Sequence, residues 1–243
     1  MRLLAHPGLA AQAASSPAYR SALERRLRGE PVAYILGTRE FFGLEFEVTP
    51  AVLIPRPDTE LLVECALERL DVAAPSRVLD VGTGSGCIAV CLAHHRPHAE
   101  VVATDVSAEA LEVARRNASR HGAANLVFRQ GADFNPVAGE RFDLMLSNPP
   151  YIDANDPHLT QGDLRFEPKQ ALTPGADGAS LLRKLAAGAP RVLRPRGWLL
   201  LEHGYDQAAT VTRALVTAGF EAVFSARDLG GRQRVSGGRA PGG

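Results

Sequence analysis

The sequence predicts an α/β protein built on a doubly wound, mostly parallel sheet, led in by a short helical segment and a β-hairpin linker. Three observations carry that prediction. From Arg77 onward, short apolar strands alternate with helix-patterned segments, which is the signature of parallel strands joined by crossover helices. The turn between the first such strand and its helix is glycine-rich, Gly82-Thr83-Gly84-Ser85-Gly86. The chain has 243 residues, 45% of them hydrophobic, enough for one sheet domain with a small addition in front.

Met1 to about Glu30 reads as helical, with Ala, Leu and Arg dominant and Pro7, Pro17 and Pro31 as punctuation. It is too short to be a domain by itself. Residues 31–60 form the hairpin and linker. Phe41, Phe42, Phe46 and Val48, with Gly37 and Gly43, pattern the hairpin within Tyr34–Leu53. Ile54-Pro55-Arg56-Pro57-Asp58-Thr59-Glu60 then makes a rigid connection. Asp58 or Thr59 is placed to cap a helix running from about Glu60 to Leu70.

Residues 61–238 make the sheet domain. Its strands are predicted at Arg77–Val81, Glu100–Asp105, Asn125–Arg129, Arg141–Ser147, Trp198–Glu202 and Glu221–Arg227, with a last one over Arg232–Gly238. Helices are predicted over Gly86–His95, Ser107–His121, Ser180–Leu193 and Asp206–Thr217. Ser107 caps its helix, Glu109 follows in the first turn, and Gly122 stands just past the end. Pro190 splits or kinks the helix that contains it. The glycine-rich end, Gly237–Gly243, reads as a frayed tail. No internal repeat is visible.

Lysine plus arginine equals aspartate plus glutamate, 27 each. No global field therefore favours nucleic acid or a membrane surface. Arg25-Arg26-Leu27-Arg28 is a solvated helix face. The three cysteines fit neither a zinc spacing nor a disulfide framework, so the chain reads as a protein of a reducing cytoplasm. No leader and no membrane-spanning stretch is expected. His94 and His98 have the spacing of metal ligands, but Pro97 breaks the helix between them, so they read as exposed histidines and no metal is expected.

The glycine loop has the spacing G-x-G-x-G, where a dinucleotide site asks for G-x-G-x-x-G. Asp80 beside it repels pyrophosphate and suits a ligand with a positive charge, such as the amino group of a methionyl moiety. Asp105 closes the second strand, 23 residues after Gly82. An acidic residue about 20 residues on is where such folds hold ribose hydroxyls. Asp80, Gly82, Thr83, Gly84, Ser85, Gly86 and Asp105 thus select S-adenosyl-L-methionine over a nicotinamide cofactor. Asp133 and Phe134 are placed to meet the adenine amino group and face, though a surface turn with a buried Phe explains them equally.

Asn148-Pro149-Pro150-Tyr151 follows the fourth strand, at the edge where open α/β sheets bind ligands. The two prolines stiffen the turn and have no N–H. The Asn148 amide oxygen and the Pro149 carbonyl are two acceptors, and Tyr151 adds a flat face. Together they suit a planar NH2 group, with Asn148, Pro149 and Tyr151 as the catalytic set and Asn148 also touching the cofactor. Four residues alone fit a strand-ending turn with a core tyrosine better. The glycine loop and strand order supply the context.

With both sites in hand, the chain resembles the HemK-type peptide chain release factor N(5)-glutamine methyltransferases over nearly its whole length. Gly29–Gly37 and Val52–Glu60 look like that family's linker; Asp163–Pro168 and Leu199–Gly204 match further stretches. The resemblance implies a methyltransferase whose donor binds at Gly82–Gly86 and Asp105. It places the substrate glutamine at Asn148, Pro149, Pro150 and Tyr151, with Arg56, Phe166 and Glu167 on the substrate side. It also implies class I release factors as cytoplasmic partners, and residues 1–30 as the remnant of an N-terminal helical domain. A related ribosomal-protein glutamine methyltransferase shares the core. Amino-methylation of adenine in nucleic acid uses the same Asn-Pro-Pro-Tyr turn, but the balanced charge counts against it.

Overall fold

The computed structural model describes residues 16–175 and 177–242. Within the segment read as helical, α1 spans Pro17–Leu27, capped by Ser16, whose side chain accepts from Tyr19 N–H. Residues 1–15 of that segment lie outside the described residues. A short helix, α2 (Val32–Leu36), follows that the sequence did not suggest, ending at left-handed Gly37. The hairpin is β1 (Thr38–Phe41) paired antiparallel with β2 (Leu44–Glu47).

The domain behind it alternates as expected: α3 (Glu60–Leu67), β3 (Ser76–Val81), α4 (Cys87–His95), β4 (Ala99–Asp105), α5 (Ala108–Arg120), β5 (Leu126–Gln130) and β6 (Phe142–Ser147). Then come α6 (Lys169–Leu172), α7 (Ser180–Gly188), β7 (Leu193–Glu202), α8 (Ala208–Thr217), β8 (Glu221–Arg227) and β9 (Gln233–Arg239). Seven strands form one sheet in the order β5-β4-β3-β6-β7-β9-β8. The pairs from β5 through β7 are parallel, and β9 runs antiparallel to both its neighbours. Order reverses between β3 and β6, so the crevice above their carboxyl ends is the expected ligand position.

Two cores cover the two faces. One packs Leu62, Val90 and Leu92 with Val78, Val101 and Leu144; the other packs Leu182, Leu185, Val211 and Leu215 against Leu79, Met145 and Leu199. Adjacent residues of one strand, Val78 and Leu79, serve opposite faces because side chains alternate. Cys65, Cys87 and Cys91 are buried free thiols. Among the described residues, no helix is long and apolar enough to cross a membrane.

Ser107 caps α5 by accepting from Ala110 N–H, as read from the sequence. Pro190 ends α7 by lying in a 3-10 turn, Ala189–Arg191. The tail differs from expectation. Gly237 and Gly238 are not frayed but are buried within β9. A Cβ at Gly237 would lie 2.7 Å from Leu199 O and 2.8 Å from Phe224 Cε1, so the strand accepts only glycine there. Thr59 also differs, since it makes no side-chain cap to α3; its hydroxyl is used elsewhere.

Asn117, which the sequence did not single out, docks the hairpin on the sheet domain. Its Nδ2 donates to Glu47 O (3.0 Å) and to Ser85 O (2.9 Å), and its Oδ1 accepts from Glu47 N–H (2.7 Å). One fully buried side chain therefore ties β2, α5 and the glycine loop together.

Candidate active site

The glycine loop turns over the end of β4. Gly82 N–H and Thr83 N–H both donate to Thr104 O, at 2.8 and 2.9 Å. Gly82, Gly84 and Gly86 all have positive φ (77°, 56° and 82°), which glycine adopts without steric cost. Gly86 has a second reason to lack a side chain, because a Cβ there would meet Ala114 Cβ at 3.0 Å. It sets the approach of α4 to α5 and does not line the cleft.

Above the loop lies a cleft with roughly 1120 Å³ of space free of protein atoms. Gly82, Thr83, Gly84, Ser85, Asp105, Asp133 and Asn148 line it, as expected for the cofactor side. Asp105 holds the floor: Oδ2 accepts from Gly84 N–H and Oδ1 from Ser107 N–H, each at 2.9 Å. A carboxylate has about four lone-pair sites, so it keeps room for further donors. Asp133 has φ of 52° and pairs with Lys184 at 2.6 Å.

Two further predicted cofactor contacts are corrected. Asp80 is completely buried beneath the loop and is not part of the cleft wall. Its Oδ2 accepts from the Thr83 hydroxyl at 2.7 Å, while Oδ1 has no partner. Burial, with the charge of Asp105 nearby, pushes its carboxyl up to about 7. Phe134 packs under α7, where a Cβ on Gly188 would meet its ring, and joins the core instead of the cleft. An apolar ring after a β-strand reads the same in sequence whether it faces a ligand or a helix.

A second, smaller cleft opens on the other side of the Asn148 turn, lined by Tyr151, Ile152, Leu164 and Leu172 among others. Leu53, Arg56, Asn148, Pro149, Pro150 and Ala171 line both clefts, so the two meet at this turn. The predicted substrate residues Arg56, Asn148, Pro149, Pro150 and Tyr151 are therefore brought together. Phe166 and Glu167 are not in either wall. Phe166 packs against the core cluster that holds Tyr34, Val48 and Val52. Glu167, with its side chain fully buried, accepts from Ile54 N–H at 3.1 Å and pairs with Arg56. Both brace the linker behind the substrate side.

Asn148 Nδ2 donates to Thr59 Oγ1 at 3.1 Å. Among the described residues, neither Asn148 Oδ1 nor the Pro149 carbonyl accepts a hydrogen bond from the protein. Tyr151 donates its hydroxyl to Glu202 Oε1 at a long 3.4 Å, and burial raises its phenol further from ionisation. Thr59 and Glu202 were missed as site residues. Each stood in a stretch that resembled the family, Val52–Glu60 and Leu199–Gly204, but neither residue type announces its role.

Residues 57–175 match the model of the methyltransferase small domain, and residues 1–37 that of the PrmC N-terminal domain. Release factor glutamine methyltransferase of Xylella fastidiosa strain Temecula1 is 55% identical over 240 residues, covering 99% of this chain and 87% of that protein. The enzyme of the same description from Bordetella pertussis is 53% identical over 237 residues, covering 97% and 87%. The chain belongs to the release factor glutamine methyltransferase family. A methyltransferase from Pyrococcus furiosus shares the fold, with TM-score 0.64 at 21% identity over 91% of this chain and 98% of that one.

The cofactor of this methyltransferase is S-adenosyl-L-methionine, and its own residues fit that group. The loop presents backbone with no side chain at Gly82 or Gly84, leaving open space where a Cβ would stand. Asp105 places negative charge at the floor, which suits a cationic donor and opposes a pyrophosphate, and the orphaned Asp80 Oδ1 lies beneath it. Cys87, also in the wall, is inert as a nucleophile, since burial pushes its thiol up to about 12.

Proposed function

We infer that this protein methylates the side-chain amide nitrogen of the glutamine in the Gly-Gly-Gln loop of class I peptide chain release factors. The observation that supports this most is the pair of unengaged acceptors, Asn148 Oδ1 and the Pro149 carbonyl, at the junction of two clefts. A planar NH2 has two hydrogens to give and needs two such acceptors. The cleft lined by Tyr151 and Leu164 is small, and glycines let a loop backbone pass a rim that side chains would block. The relatives named for this reaction agree over most of the chain.

An amide nitrogen is a poor nucleophile because its lone pair is delocalised into the carbonyl. The bound S-adenosyl-L-methionine supplies an activated methyl group. Asn148 and Pro149 hold the two amide hydrogens and so turn the nitrogen lone pair toward the neighbouring cleft. These hydrogen bonds strengthen as the nitrogen gains positive charge, which is differential binding of the transition state. Alignment of two bound reactants contributes about 7–11 kcal/mol. Among the described residues, the six shared by the two clefts include no carboxylate, His or Lys, so the proton released from nitrogen passes to water.

The test is incubation with labelled donor and, separately, a class I release factor, its Gln→Ala loop mutant, ribosomal proteins and unmethylated DNA. Label is expected in the release factor alone. Label in DNA, or equal label in the factor and its loop mutant, overturns the reading. Label in ribosomal proteins moves the substrate while keeping the chemistry. The balanced charge of the chain gives phosphate contacts no global support.

A further inference from the structure

We propose that Gln207 is a positioning residue: by holding the Tyr151 carbonyl, it aims the nearby Pro149 carbonyl at the substrate amide. The inference rests on the reading of that carbonyl as one of two acceptors for a substrate NH2, and it adds the device that orients it. An acceptor kept free for the substrate has no hydrogen bond of its own to hold it. Its direction must come from bonds made by its neighbours.

The Asn-Pro-Pro-Tyr turn is fixed at both ends. Upstream, Ser147 of β6 pairs with Leu201 of β7, and Asn148 Nδ2 donates to Thr59 Oγ1. Downstream, the peptide between Tyr151 and Ile152 is held on both sides. Tyr151 O accepts from Gln207 Nε2 at 2.9 Å, and Ile152 N–H donates to Leu172 O at 3.0 Å. Gly178 closes against the same carbonyl, since a Cβ there would lie 2.5 Å from Tyr151 O. Between the two ends, the proline rings fix φ at 149 and 150. The Pro149 carbonyl is left little room to swing.

The orientation of the Gln207 amide is set by backbone groups alone. Its Oε1 accepts from Gly204 N–H at 2.9 Å, and its Nε2 faces Tyr151 O. One partner only donates and the other only accepts, so the amide fits one way round. Gln207 stands at the N-cap of α8, and its own N–H donates to Gly204 O at 2.9 Å. A role in that turn explains half of the side chain. A glutamate would serve Gly204 N–H equally, and its charge would suit a helix N-terminus better than a neutral amide does. Only the donor end calls for glutamine, and that end is committed to Tyr151. Gln207 lines neither cleft, so it acts through the turn and not on donor or substrate.

The variants Gln207→Glu and Gln207→Met test this. Gln207→Glu keeps the bond to Gly204 but sets a carboxylate oxygen against the Tyr151 carbonyl. It should fold, by circular dichroism, yet lower kcat for release-factor methylation about tenfold or more, with KM and donor affinity nearly unchanged. A purely structural role at the start of α8 predicts wild-type kcat instead. Gln207→Met has no donor and should lose kcat to a similar extent. Exchange of the Ile152 amide, read by NMR, should quicken in both, because its peptide is then held on one side only. That readout needs no substrate, so it separates a failed clamp from a failed substrate assignment. No label in the release factor with wild-type enzyme would overturn the substrate reading and this inference with it. Wild-type kcat or unchanged Ile152 exchange in Gln207→Glu, or a loss that falls on KM or donor affinity instead of kcat, overturns the inference alone. If Gln207→Glu does not fold, the same readouts in Gln207→Met decide.

Discussion

Asn148 is anchored at its nitrogen end and free at its oxygen end, an asymmetry that the rate should report. Replacing it with alanine is expected to cost about 10²–10³ in kcat, the usual loss for one positioned transition-state contact. Donor affinity, measured by calorimetry, should hold; near-wild-type turnover would remove Asn148 from the chemistry. Asp105→Ala acts on the other partner. A charge-assisted hydrogen bond is worth about 1.5–3 kcal/mol, so donor affinity should fall at least tenfold in a folded variant. Unchanged affinity by calorimetry would refute its assignment to the cofactor. Asp80 is legible by pH instead. Its carboxyl titrates near 7 in the fold but near about 4 in the unfolded chain, so the folded state holds more protons between those values. Its contribution therefore lowers stability as pH rises through that window. Glu202, also pushed up to about 7, does the same, while buried His203, pushed down, works in the opposite direction. Asp80→Asn should flatten the decline, compared by urea denaturation at about pH 5 and about pH 8. Equal slopes in both proteins would contradict the burial argument. The sequence exposed Asp80 by its place beside a glycine loop, yet could not tell a carboxylate in the wall from one beneath it. That distinction depends on which way a strand residue points and on Thr83 closing over it.

At the scale of elements, the linker between hairpin and sheet domain carries much of the site. Leu53, Arg56 and Thr59 all line the larger cleft, and Glu167 fastens the segment by accepting from Ile54 N–H and pairing with Arg56. Glu167→Ala leaves a buried N–H unpaired, which costs about 1–3 kcal/mol. Exchange of the Ile54 amide should quicken at least tenfold, seen by hydrogen exchange, and Arg56 should lose its fixed place. An unchanged Ile54 amide would show that the linker is held by other contacts. The alternation of strands and helices was readable because each strand is short, apolar and bounded by turn residues. The four-residue α6 and the 3-10 turns around 157–166 were not, because pieces so short have no period to read. Gly237 and Gly238 misled for a physical reason. Glycine marks both a loose end and a place where backbones and side chains crowd, and only the neighbours Leu199 and Phe224 tell which.

For the whole molecule, the order of strands does the assembling. The reversal between β3 and β6 opens one crevice, the glycine loop fills one side of it, and the Asn-Pro-Pro-Tyr turn stands on the other. On the proposed reading, donor and acceptor sites face each other at the ends of adjacent parallel strands. Both motifs were legible in sequence because each needs particular residues, glycines for positive φ and prolines for a rigid turn. Their meeting was legible only through the fold class. The Asn117 clasp and the Asn148–Thr59 hydrogen bond join residues far apart in the chain, and no local pattern marks such partners. The central claim is that two acceptors at the junction of two clefts hold a glutamine amide while methyl transfers to its nitrogen. Tandem mass spectrometry of a class I release factor after incubation with enzyme and donor tests it most directly. The account predicts one added methyl group, on the side-chain nitrogen of the Gly-Gly-Gln glutamine, made by wild-type enzyme and nearly lost with Asn148→Ala. A methyl group on any other residue, or the same yield from Asn148→Ala, would contradict it.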